Sequence, residues 1–137
     1  MNVRITPADP GSLTLAVRRF MDTDAGAAFT DAPGTLAFVA SVGTTTCGWA
    51  WGYHLVRPDG SSMLYLHQLE VDQAHRRSGI GRKLLCAFMA AGATAGATKM
   101  FLTTGADNLA ARALYDAEGG GLASEGPTVN YWFRLSQ

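Results

Sequence analysis

Apolar positions change their period along the chain, and each change marks a new element. Residues 3–6 read as a short strand that Pro7 ends. From 12 to 20 the spacing is helical: Leu13, Val17 and Phe20 share a face, with Ser12 as candidate N-cap. Residues 22–34 hold acids, Gly26 and Pro33, a loop pattern in which Ala27-Ala28-Phe29 is a candidate short helix. Period two then takes over. Residues 36–42 are apolar and partly β-branched, Gly43 and the threonines after it make a turn, and 47–56, where Trp49, Trp51 and Tyr53 alternate, read as the hairpin partner. Arg57-Pro58-Asp59-Gly60 is a turn signal. Residues 63–71 follow as a third strand, with Leu64, Leu66, Gln68 and Glu70 on one side and Tyr65, His67, Leu69 and Val71 on the other.

The second half has a different texture. Residues 79–95 predict a long helix whose buried stripe is Ile80, Leu84, Leu85, Phe88 and Met89. Residues 100–103 read as a short buried strand. Residues 108–118 read as a helix with Leu109, Ala113 and Leu114 inward, ended by Gly119-Gly120-Gly121. Residues 128–135 read as a last strand. The fold class is therefore α/β (an α+β mixed sheet): mostly antiparallel N-terminal strands, then a right-handed parallel strand–helix–strand crossover, flanked by helices. No internal repeat or long linker interrupts the chain, and 137 residues suit one domain spanning 1–137.

Composition narrows the classes of partner. Net charge is zero, which gives no bulk attraction to nucleic acid or membrane. No apolar run approaches the roughly 18 residues of a membrane span. The first residues carry no signal-peptide pattern, and Cys47 and Cys86 do not make a disulfide framework, so a reducing cytoplasm is the expected compartment. The charges are nonetheless unevenly placed. Residues 1–72 hold seven acids against four bases, and 73–137 hold four acids against seven bases, giving −3 and +3. An acidic front and a basic back suit a cationic acceptor and an anionic cofactor.

The anion site is legible. Arg76-Arg77-Ser78-Gly79-Ile80-Gly81 opens a helix directly after a strand. Glycines let the backbone approach a bulky anion, and the unpaired N–H groups and dipole of a helix start favour phosphate oxygens. Arg76, Arg77, Arg82 and Lys83 add charge there. The sequence lacks both the G-x-x-x-x-G-K-S/T and the G-x-G-x-x-G phosphate loops. Cys86 reads as a buried helix residue, no histidine lies where it would activate it, and His54, His67 and His75 lack metal-ligand spacing, so no metal is expected.

With these residues in view, the chain resembles the GCN5-related N-acetyltransferase (GNAT) superfamily. Leu69-Glu70-Val71 followed by Arg76, Gly79 and Gly81 matches its Arg/Gln-x-x-Gly-x-Gly/Ala motif, and Asn108-Leu109-Ala110-Ala111-Arg112-Ala113-Leu114-Tyr115 matches its Asn…Ala-x-x-Leu-Tyr helix. The resemblance covers 36–135 well and the first 35 residues in outline. It implies a sheet splayed between its fourth and fifth strands, where acetyl-coenzyme A binds. Leu69 and Val71 would pair with the pantetheine arm, backbone groups of Arg77, Ser78, Gly79, Ile80, Gly81 and Arg82 would take the pyrophosphate beside Arg76, and Asn108 would hydrogen-bond the pantetheine. Tyr115 would protonate the departing thiolate in a direct transfer to an amine. Glu70 is the carboxylate in the strand that meets the thioester, and so the candidate general base.

Within that superfamily, residues 64–80 are most similar to the aminoglycoside 3-N-acetyltransferases, sharing the His-Arg-Arg of the cradle, whereas their strand aspartate is Gln68 here. The resemblance implies a small cationic amine as acceptor and a role in antibiotic resistance, with Asp22, Asp24, Asp31, Gln68 and Glu125 as acceptor-binding candidates. A protein N-terminus, a lysine or a polyamine is the alternative acceptor, and a non-catalytic coenzyme-A-binding sensor the alternative class. Tyr131-Trp132-Phe133 is a candidate seam for a homodimer.

Overall fold

The chain folds as two compact units, Met1–Gly105 and Ala106–Gln137, and the computed structural model describes residues 2–123 and 126–136 of them. The first unit runs β1 (Val3–Pro7), α1 (Pro10–Met21), α2 (Ala28–Asp31), β2 (Thr35–Val42), β3 (Thr45–Val56), β4 (Ser62–Val71), a 3-10 turn (Gln73–His75), α3 (Ile80–Thr94) and β5 (Met100–Phe101). The sheet order is β1-β2-β3-β4-β5. The first three pairings are antiparallel, as short connections allow, and β5 joins β4 in parallel through the α3 crossover.

The helices cover opposite faces. Leu13 and Ala16 of α1 are buried with Val39 and Trp49 of the sheet. On the other face, a Cβ at Gly48 would meet Leu84 and Ile80 of α3. Ile80, Leu84, Leu85 and Phe88 are buried as the pattern predicts, whereas Met89 is half-buried. Gly92 is buried because Leu64 fills the space its side chain would take, with only 2.2 Å to a built Cβ.

Helix α1 starts earlier than the apolar pattern suggests. Its cap is Asp9, whose carboxylate accepts the Ser12 N–H at 2.8 Å, while the Ser12 hydroxyl accepts the Asp9 N–H at 3.0 Å. Ser12 is thus the reciprocal partner in a capping box, not the cap, and Pro10 sits in the first turn where no donor is needed. Asp9→Ala is expected to cost about 1 kcal/mol, lowering the melting temperature by about 4 °C in a calorimetric scan.

Strand β4 departs from simple alternation. Tyr53 faces Tyr65 and Gly52 faces Leu66, but Trp51 faces Gln68. His67 is the extra residue of a bulge, and residues beyond it change sides. Tyr65, His67, Gln68 and Glu70 therefore share the face that carries Trp49, Trp51 and Tyr53, while Leu64, Leu66, Leu69 and Val71 face α3, because directly opposed residues project to the same side. This corrects the expected alternation.

In the second unit, α4 (Leu109–Ala117) is capped by the Asn108 side chain, which accepts the Ala111 N–H at 3.2 Å. Its half-buried stripe is Ala111, Arg112, Leu114, Tyr115 and Glu118. Leu109 and Ala113 lie one turn apart on the exposed side, contrary to expectation. Gly119, at φ 93°, ends the helix. The predicted strand over 128–135 does not form. Residues 126–136 have no ladder partner among the described residues, and Trp132 is 94% exposed. An alternating pattern without a neighbouring strand leaves its backbone groups to water. Likewise β5 spans two residues rather than four, and Phe101 is partly exposed.

Candidate active site

The site is built from β4 outwards. Its parallel pairing with β5 covers only Leu64↔Met100 and Tyr65↔Phe101. From Leu66 to Val71 the strand continues with no β5 register partner, which leaves that edge of β4 without a strand beside it among the described residues. The bulge lies at the start of that free stretch, and Gly52 permits it: a Cβ there would stand 1.9 Å from the Tyr65 carbonyl oxygen. Leu69 and Val71, expected to pair with a pantetheine arm, lie on this free edge. Beside it, the Val71 carbonyl accepts the Arg76 Nε–H at 3.0 Å.

At the end of β4 the chain turns into the cradle. Asp72 caps the 3-10 turn, Ser78 Oγ donates to the His75 carbonyl at 2.5 Å, and Arg77 takes φ 64°, Gly79 φ 82°. Gly79 caps α3 in the left-handed conformation with open space where a Cβ would lie, and no side-chain hydrogen bond caps that helix start. Arg76, Arg77, Ser78, Gly79, Arg82 and Lys83 are exposed, Gly81 is half-buried, and Ile80 is buried as the anchor of the helix. An uncapped start of a 15-residue helix, approachable through glycine and surrounded by cations, fits a pyrophosphate. The Arg76 side chain is folded back on the strand, so its contribution there is charge rather than an extended arm.

On the α1 face, the sequence-derived candidates form a hydrogen-bonded row. Trp51 Nε1–H donates to Gln68 Oε1 at 3.1 Å, and Gln68 Nε2–H donates to Glu70 Oε1 at 2.8 Å. The indole is only a donor, so it sets the amide orientation, which in turn presents an N–H to the carboxylate. Gln68 thereby orients Glu70. The row is flanked by rings: His67 stacks on Trp51 at 4.5 Å, and Tyr65 on Phe101 at 4.6 Å. A cavity of about 200 Å³ opens between α1, the 22–29 loop and this face, lined by Leu13, Val17, Met21, Phe29, Trp49 and Trp51 with Asp24 among its polar residues. The Trp49 indole N–H is buried and has no hydrogen-bond partner among the described residues.

The expected acids divide. Asp24 borders this cavity and pairs with Arg18 at 3.5 Å on the surface. Asp22 is the left-handed C-cap of α1, and Asp31 is the exposed last residue of α2. Neither lines the cavity. Glu125 lies outside the described residues.

Asn108 and Tyr115 belong to the second unit. The oxygen of Asn108 is committed to capping α4, and its amide hydrogens remain available as donors. Tyr115 is half-buried, and that burial pushes its phenol above the usual value. Cys47 is buried, and burial followed by the Asp72 carboxylate pushes its thiol up, which suits a core residue rather than a nucleophile. Cys86 is half-buried rather than fully buried as its helix position suggested. Among the described residues no group of three or more His, Cys, Asp or Glu is placed to hold a metal, and no helix is long and apolar enough to cross a membrane. Sequence reasoning missed Trp51 as the anchor of Gln68, and it missed the bulge. An isolated glycine inside a strand pattern, Gly52, was the available signal.

Residues 10–119 match the sequence model of the Acetyltransferase (GNAT) family. No curated protein sequence matches the chain. Solved structures share the fold. An aminoglycoside acetyltransferase from an uncultured soil metagenomic sample has a TM-score of 0.81 at 21% identity, covering 99% of this chain and 100% of that one. The aminoglycoside N-acetyltransferase AAC(6')-Iy in complex with CoA has a TM-score of 0.82 at 17% identity, covering 98% and 96%. A second soil metagenomic aminoglycoside acetyltransferase, meta-AAC0020 in complex with sisomicin, has a TM-score of 0.73 at 20% identity, covering 98% and 97%.

Proposed function

Because the chain belongs to the GNAT acetyltransferase family, we propose that it transfers the acetyl group of acetyl-coenzyme A directly to a primary amine of an aminoglycoside. The observation that carries this reading is the free edge of β4 from Leu66 to Val71, with the uncapped α3 start at its end and Glu70 beside it. When bound, acetyl-coenzyme A supplies a thioester carbonyl open to attack by an amine. The α3 start and its cations hold the pyrophosphate, and the β4 edge with Leu69 and Val71 holds the pantetheine. Glu70, with one oxygen fixed by Gln68, takes the ammonium proton on the other. Asn108 donates to the pantetheine, and Tyr115 gives the leaving thiolate its proton. Asp24 and the rings along β3 and β4 favour a cationic acceptor, through charge and cation–π attraction. The solved relatives named for aminoglycosides support the same class.

Acetylation at the 3-amino group, a role in antibiotic resistance and a cytoplasmic location complete the proposal. The exposed Tyr131, Trp132 and Phe133 support a homodimer. The test is coenzyme release from acetyl-coenzyme A across aminoglycosides, polyamines, and lysine and N-terminal peptides, with the acetylated position read by NMR. Turnover of an aminoglycoside at its 3-amino group is expected. Turnover confined to a peptide or polyamine would move the acceptor, and tight coenzyme binding without any turnover would make the protein a sensor. Glu70→Gln is expected to lower kcat/KM for the amine about a hundredfold by removing a general base.

A further inference from the structure

One multiply bonded, buried side chain of the first unit is not used by the proposed chemistry. Asp72 is 7% exposed. Its backbone N–H donates to the Cys47 carbonyl at 2.9 Å, which ties it to β3. Its carboxylate accepts from Arg19 Nη2 at 2.8 Å, from the His75 backbone N–H at 3.1 Å and from His75 Nδ1 at 2.5 Å. From His75 the chain of bonds continues, because the His75 carbonyl accepts the Ser78 hydroxyl. A linked path therefore runs from the last turn of α1 through Asp72 and His75 to Ser78, the residue before Gly79.

That path fixes a segment with a specific task. Residues 72–79 are a loop containing one short turn, and Arg77 holds a left-handed φ without being glycine. Such a residue persists only where its surroundings hold it. The orientation of the N–H groups that open α3 depends on how this loop enters the helix. Burial raises the Asp72 carboxyl, but the bonds from His75 and Arg19 outweigh it and hold the group below the usual carboxylate range. The anion, and the bonds it accepts, are therefore present throughout the neutral range.

We infer that Asp72, anchored by Arg19 and acting through His75 and Ser78, is the positioning residue for the pyrophosphate-binding loop. It touches no part of the donor itself. The inference rests on the donor being a coenzyme A thioester. A loosened loop should therefore penalise donors that carry the pyrophosphate and spare donors that lack it.

Asp72→Asn places an amide N–H against the Arg19 guanidinium and removes the charge. It is expected to weaken coenzyme A binding, measured by calorimetry, about tenfold, the scale on which small misplacements act. The KM for acetyl-coenzyme A should rise in parallel with kcat changed less than twofold. The kcat/KM for acetylpantetheine, which lacks the pyrophosphate, should stay within twofold of the parent protein. Arg19→Gln, at a half-exposed side chain, should show the same selectivity at about threefold and covers the case in which the Asp72 variant does not fold. Equal losses with both donors, or unchanged coenzyme A binding in folded variants, would overturn the inference alone. A parent protein that binds no coenzyme A would overturn the functional reading together with it.

Discussion

Replacing Tyr115 by phenylalanine is expected to lower kcat by about two to three orders of magnitude, the usual yield of a positioned general acid, while the KM for acetyl-coenzyme A changes little. The substitution removes one oxygen and keeps the ring, so packing on α4 is preserved and the melting temperature should hold. Expulsion of a thiolate from carbon leaves charge on sulfur, and in the proposed mechanism the Tyr115 phenol supplies the proton. Burial raises the Tyr115 phenol above its ordinary value, so the acid form is complete at neutral pH. Activity that depends on it should persist through the ordinary phenol range and fall only as pH rises through the elevated value. Steady-state kinetics of the two proteins from about pH 6 to beyond the ordinary phenol value of about 10 would check this. A Phe variant with parental kcat would remove Tyr115 from the chemistry.

Gly52→Ala should be the most destabilising single methyl in the first unit. The built Cβ lies 1.9 Å from the Tyr65 carbonyl oxygen and 3.0 Å from the His67 nitrogen. Both are backbone atoms, so no rotamer change relieves the clash. One strand must move, and the bulge that it accommodates would be lost or shifted. A cost of about 3 kcal/mol is expected, the upper part of the overpacking range, with a fall of about 10 °C in melting temperature. The consequence reaches the chemistry. Without the bulge, strict alternation would send Gln68 and Glu70 to the α3 face, away from Trp51. Any folded fraction should therefore also lose amine-dependent turnover. Chemical denaturation together with kcat/KM on the same preparation would separate the two losses.

Much of the candidate site is local, and local features are legible. The cations and glycines of 76–83 sit on one loop and one helix turn, and their chemistry follows from being neighbours in sequence. The same holds for Asn108 and Tyr115, seven residues apart on one short helix. Elements with long periodic runs, such as α3, were equally clear. What escaped were features that depend on a partner strand. Whether Gln68 and Glu70 face α1 or α3 is decided by the register of β4 on β3, and a bulge of one residue inverts the answer. Residues 128–135 alternate like a strand, but a strand exists only where another backbone receives its hydrogen bonds. Asp9 rather than Ser12 caps α1 because each side chain accepts the other residue's backbone N–H, a choice that a search for the first apolar residue overlooks.

The residues of the candidate anion cradle, Arg76 to Lys83, and Glu70 as candidate acceptor-side carboxylate were legible in the sequence alone. Both rest on residue chemistry and on contacts within a few positions, where the covalent chain itself enforces proximity. Only the tertiary structure decided that Trp51, Gln68 and Glu70 form one row, that β4 parts from β5 after two residues, and that Asp72 joins α1 to the cradle loop across 53 positions. Those outcomes depend on strand register and on buried pairing between distant segments. Their energies are set by desolvation and geometry, which one-dimensional order does not encode.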